Sequence, residues 1–126
     1  MNNLYKAVTG FIFSAVCFLF GTPDKFFVVL LAFIVIDYIT GICAGVATKT
    51  LSSKTGAKGI MKKMVILCIV ALSQMADVIA GTEILRNAAI GFYIANEGIS
   101  IMENAARTGV KLPEKLIEML EQLKKK

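Results

Sequence analysis

Asp37, Asp77, Glu97 and Glu103 stand inside long apolar runs of this chain. A carboxylate near the middle of a membrane span costs about 2.5–3.5 kcal/mol on insertion scales, so such acids are retained for a reason. Asp37, Asp77 and Glu97 read as mid-depth groups, neutralised by a shared proton or by hydrogen bonds between helices. Two roles fit them. They line a water-filled path or polar helix interface, or they tie one small bundle together. Neither role is catalytic, because no nucleophile–base pair accompanies them. The chain has no His, which excludes His-based triads and His-ligated zinc or haem. It has no Gly-rich phosphate loop or nucleophile elbow. The expectation is a non-enzyme with no cofactor and no metal. Cys17, Cys43 and Cys68 lack CxxC spacing and read as reduced, buried small hydrophobes.

A second constellation lies between residues 87 and 106. Asn96, Ser100, Glu103 and Arg107 are spaced four, three and four apart, so they share one helix face. Glu97 and Asn104 lie alongside, and Ile90, Ile94, Ile101 and Ala105 fall opposite. A polar stripe at membrane depth needs water or a polar partner surface. Gly41 and Gly45 form a GxxxG spacing just after Asp37. Small residues at that spacing let membrane helices approach closely, although the pattern is also common by chance.

These residues must be carried by helices. The chain has 126 residues, 56% of them hydrophobic and 18% charged, with mean hydropathy +0.71. Soluble proteins average about 25% charged residues, and a domain of this size buries only about two-thirds of its unfolded surface. These figures rule out a disordered chain and weigh against an ordinary soluble enzyme. The apolar residues fall in four blocks, 7–23, 26–48, 64–82 and 87–106. Each extends roughly 25–35 Å as a helix, against a bilayer core of about 30 Å. The first block has the look of a signal-peptide core, but no small-x-small site precedes Asp24 and another span follows at once, so it reads as a retained helix. The fourth is a polar span or an interfacial helix, and a span fits the charges better. The expected fold is all-α: one integral-membrane domain over 1–126, with about four transmembrane helices and a short amphipathic helix over 112–126. Pro113 opens that last helix, Glu114 comes early, and Lys124, Lys125 and Lys126 come last.

The net charge of +5 is unevenly placed. Residues 49–63 read as a basic loop with Lys49, Lys54, Lys58, Lys62 and Lys63 and no acid, which the positive-inside rule places in the cytoplasm. Lys6 and the tail are also basic, so four spans with both termini cytoplasmic satisfy every connection. The loop sets topology, or it binds lipid headgroups or takes part in self-assembly. Lys124, Lys125 and Lys126 would add attraction to anionic lipid. Nucleic acid is not expected, since the loop has no aromatic residues.

The run Asp37-Tyr38-Ile39-Thr40-Gly41, the loop Ser52-Ser53-Lys54 with Gly56, Lys58 and Gly59, the later Asp77, and FYIANEGISIMEN (92–104) followed by Gly109 and Leu112-Pro113 resemble the toxin secretion/phage lysis holin family. The resemblance covers residues 24–123 and is most specific between Asn96 and Asn104. It implies a small phage or prophage protein of the bacterial cytoplasmic membrane that oligomerises and opens lesions. An endolysin or toxin then passes, with no direct contact required. Asp37, Gly41, Gly45, Asp77, Asn96, Glu97, Ser100, Glu103 and Asn104 are our candidates for lining the pore or the oligomer interface. Rival readings are a small ion or proton channel relaying through Asp37, Asp77 and Glu97, and a scaffold subunit with no conductance.

Overall fold

The computed structural model describes residues 2–125, with the side chains of Leu123, Lys124 and Lys125 outside the described part along with Met1 and Lys126. The topology role expected of Lys124, Lys125 and Lys126 therefore falls outside the described residues. Five helices follow one another: α1 (Asn2–Phe20), α2 (Lys25–Thr48), α3 (Ser53–Ala80), α4 (Ile84–Arg107) and α5 (Glu114–Lys125). The described residues contain no strand.

Local chemistry sets the helix ends. α1 stops at Gly21, whose φ of 80° suits a residue without a Cβ. Asp24 caps α2, its Oδ1 accepting the Phe27 N–H at 2.9 Å. Ser52 caps α3 by accepting the Thr55 N–H at 3.1 Å. This cap corrects the expected loop over 49–63. Only Lys49 to Ser52 connects the helices, and Lys54, Lys58, Lys62 and Lys63 ride on the first turns of α3. α3 ends at Gly81, φ 70°, whose N–H bonds the Asp77 carbonyl.

The core joins α2, α3 and α4. Phe27, Leu30 and Ile34 of α2 meet Val70 of α3 and Ile90 and Ile94 of α4. α4 is the hub, packing against α2, α3 and α5. α1 has no buried residue. It touches α3, and Phe20 at its end stacks on Phe27 with ring centroids 5.2 Å apart. Much of the outer surface is apolar: Phe11 is 76% exposed and Ile79 is 89% exposed. Water would penalise such a surface and lipid would not. Cys43 and Cys68 are free but exposed, not buried, because they lie on outward helix faces.

α1, α2 and α3 are long and apolar enough to cross a membrane. α4 is long enough but less apolar, because Asn96, Glu97, Glu103 and Asn104 interrupt its apolar residues. α5 packs back along α4. Leu120 approaches Gly98 so closely that a Cβ there would lie 3.0 Å from its Cδ2.

Candidate functional site

Asp37, Glu97 and Asn104 come together with a residue that the sequence pattern assigns elsewhere. Lys63 Nζ donates to Asp37 Oδ2 at 2.6 Å and to Glu97 Oε2 at 2.8 Å. Asn104 Nδ2 donates to Asp37 Oδ1 at 3.0 Å, to the Asp37 carbonyl at 3.2 Å and to Thr40 Oγ1 at 3.1 Å. One ammonium thus bridges acids from α2 and α4. Lys63 reads in the sequence as one of the basic-loop lysines that set topology or meet lipid headgroups. It turns inward instead, because successive residues on a helix point about 100° apart and Lys62 takes the outward position. Ionic groups so deeply placed are tolerated only when paired and hydrogen-bonded. Here they fix the register of α2, α3 and α4.

Gly41 and Gly45 serve contacts within the chain. A Cβ on Gly41 would meet Asn104 Nδ2 at 3.6 Å, and one on Gly45 would meet Leu51 at 3.2 Å. The Gly45 carbonyl also accepts the Thr50 N–H at 2.9 Å as the chain leaves α2.

Asp77 does not join the other acids. It sits one turn from the end of α3 and caps the next helix. Its Oδ1 accepts Thr82 Oγ1 at 2.7 Å and the Leu85 N–H at 3.1 Å, and its Oδ2 accepts the Arg86 N–H at 2.7 Å. A carboxylate at a helix N-terminus satisfies free N–H groups and favours the helix dipole. Arg86 then ties this end of the bundle together. Its Nε donates to the Phe20 carbonyl at 2.6 Å and its terminal nitrogens reach the Thr22 carbonyl at 3.0 Å and Asp24 at 3.1 Å. That hydrogen-bonded guanidinium holds the Asp24 carboxyl below its ordinary range, and the Phe27 N–H adds to the effect. The Arg86 network is not evident from spacing, because its partners lie more than 60 positions away.

Of the expected polar stripe, Asn96, Glu103 and Arg107 are exposed and Ser100 is half-buried. Arg107 reaches Thr48 Oγ1 at 3.3 Å and Thr50 Oγ1 at 3.4 Å. Asn96 and Glu103 point outward from the helix at the centre of the bundle, although Glu97 and Asn104 beside them point in. This arrangement pairs the inward carboxylates with cations and hydrogen-bond donors. It offers an ion-bridged interior and one hydrophilic outer strip.

The family model for the bacteriophage holin family matches residues 14–125. A probable holin of Bacillus phage phi105 is 36% identical over 104 residues, covering 82% of this chain and 76% of that protein. An uncharacterized protein of Listeria monocytogenes is 49% identical over 104 residues, covering 82% of this chain and 74% of the relative. An uncharacterized 14.9 kDa protein of Clostridium perfringens is 44% identical over 110 residues, covering 86% and 83%. No solved structure matches.

Proposed function

The chain belongs to the bacteriophage holin family, and on that premise we propose that it oligomerises in the bacterial cytoplasmic membrane and opens lesions through which an endolysin or toxin passes. It acts as a membrane protein without catalytic activity. α4 crosses the bilayer with α1, α2 and α3, giving four spans, with Lys6, Lys49, Lys54 and the turn after Arg107 on the cytoplasmic side, while Lys63, bonded to Glu97 partway along α4, lies within the span.

The observation that carries this reading is the outward strip of Asn96 and Glu103 on α4. The outward faces of α2 are apolar through Phe26, Val35, Ile39 and Val46, and lipid suits them. A strip with an exposed carboxylate suits water or a partner. Copies that turn their α4 strips toward one another cover them. When enough copies gather, the strips face a shared aqueous opening. The separation of Asp77 from Asp37 and Glu97 weakens the rival reading of a three-acid relay.

The test is expression in bacteria. Expression alone should collapse the membrane potential, and co-expression with an endolysin should lyse the cells. High membrane levels with potential and viability intact would overturn the reading. Purified protein in vesicles loaded with both a small ion and a folded marker protein should release both, whereas a selective channel releases only the ion.

A further inference from the structure

Two exposed charged stripes have no ion-pair partner among the described residues. Lys54, Lys58 and Lys62 are exposed at successive four-residue steps and so share one face of α3. Glu114, Glu118 and Glu121 are exposed at steps of four and three and share one face of α5. The ion pairs found join Lys63 to Asp37 and Glu97, and Arg86 to Asp24. The stripes extend about 12 Å along α3 and about 10 Å along α5 at ~1.5 Å per residue.

They also lie at the same height. α4 runs from the α3–α4 turn down to Arg107, beside Thr48 and Thr50. α3 begins and α5 returns from that same end, so both run in the same direction. Lys63 meets Glu97, and Leu120 meets Gly98. Lys62 and Glu121 are therefore level. Stepping back toward the shared end brings Lys58 level with Glu118 and Lys54 level with Glu114.

We propose that the lysine stripe of α3 in one copy pairs with the glutamate stripe of α5 in the next copy. A rotation about an axis parallel to the helices keeps heights unchanged, so neighbours meet in register. The contact is head-to-tail, using a different surface on each copy, and such contacts build rings or open arrays rather than closed dimers. Phospholipid headgroups fit the lysines less well. Their phosphates lie in one layer, whereas these lysines are stepped along a helix. The inference rests on the oligomeric reading above and adds which surfaces join.

The test uses the full chain with Cys17, Cys43 and Cys68 replaced by Ala. Two differently tagged copies are co-expressed, one carrying Lys58→Cys and the other Glu118→Cys, and membranes are treated with a short bismaleimide. A cross-linked product carrying both tags is expected. Charge reversal of the two remaining α5 acids in the Glu118→Cys copy (E114K/E121K) should reduce it about fivefold, the scale of two exposed pairs. Joining that reversal to K54E/K62E in the Lys58→Cys copy should restore it. Because the lysine reversal alone disturbs orientation, the α5 reversal and native-charge cross-linking carry the decision. No mixed-tag product, or a product indifferent to the α5 reversal, overturns the pairing. Loss with the lysine change but not the α5 change also overturns it and points to anionic lipid. Membrane potential is read in the same cells: cross-linking without depolarisation leaves the pairing standing and removes the lesion-forming role.

Discussion

Lys63 and Glu97, 34 positions apart, meet at 2.8 Å, and the same ammonium holds Asp37 at 2.6 Å. Three helices thus share one cation. Removing only the cation leaves two buried carboxylates facing each other, and breaking a buried pair in this way typically costs about 3–5 kcal/mol. Lys63→Met should lower the thermal unfolding midpoint of detergent-purified protein, followed by circular dichroism. The triple change Lys63→Met, Asp37→Asn, Glu97→Gln removes every charge and should recover most of the loss. An unchanged midpoint for Lys63→Met would show that the bridge does not hold the bundle.

Asp77 is predicted to act as a cap and not as part of a relay. Asp77→Ala removes the acceptor for the Leu85 and Arg86 N–H groups, a loss of about 1–2 kcal/mol by analogy with other cap deletions. Amide exchange at Leu85 and Arg86 should speed up while exchange in the second half of α4 stays slow. Equal protection at those two amides in the variant would rule the cap out.

The sequence shows the helices well and the bridge poorly, for physical reasons. Apolar blocks mark the central parts of α1 to α4 but not the start of α3, whose first turns carry lysines instead. Lys63 is hidden beside Lys62: adjacent lysines look alike on paper, yet one helical step turns one outward and the other inward. Asp77 is hidden because its helix ends at Gly81 and it caps the next helix across the turn. A local search for an N-cap finds Glu83, which makes no side-chain cap bond. The stripe on α4 is legible only by half. Spacing groups Asn96, Ser100, Glu103 and Arg107, but packing decides that Asn96 and Glu103 face outward while Glu97 and Asn104 face in.

Gly98 is predicted to hold α5 in place. A Cβ there would lie 3.0 Å from Leu120 and 3.3 Å from Phe33, and enlarging a tight contact costs about 1–3 kcal/mol. In Gly98→Val the cheapest relief is for α5 to leave α4. Trypsin should then cleave after Lys115 faster than in the parent, with the α1–α4 region intact. Unchanged cleavage would mean that α5 stays docked without the notch.

Asp24 gives a pH dependence at the α1–α2 turn. Its carboxyl is held below the ordinary value by the Arg86 hydrogen bond. The ionised form is therefore favoured in the folded state, and its contribution is present at neutral pH. It is lost as pH falls through the lowered folded value. Asp24 is half exposed, so the effect is modest. Acidification below about pH 4, where ordinary carboxylates protonate, should increase amide exchange at Phe27 and Val28. Asp24→Asn should abolish that pH dependence, and a persisting one would assign it to another group.

The outward strip of α4 decides between a lesion and an inert bundle. Asn96 and Glu103 are exposed and make no hydrogen bond among those found within the described residues, so replacing both with Leu disturbs no internal contact. Removing an acid from a span also makes insertion easier by about 3 kcal/mol. Asn96→Leu with Glu103→Leu should thus accumulate in the membrane at least as well as the parent and unfold at a similar temperature. If the strip faces water in the assembled state, this variant should fail to depolarise cells, because an apolar wall does not stabilise an aqueous opening. Glu103→Gln keeps the strip polar and should retain most of the activity. The measurement is a potential-sensitive dye in cells matched for membrane level. Depolarisation by the double Leu variant equal to the parent would place the opening on another face of the bundle.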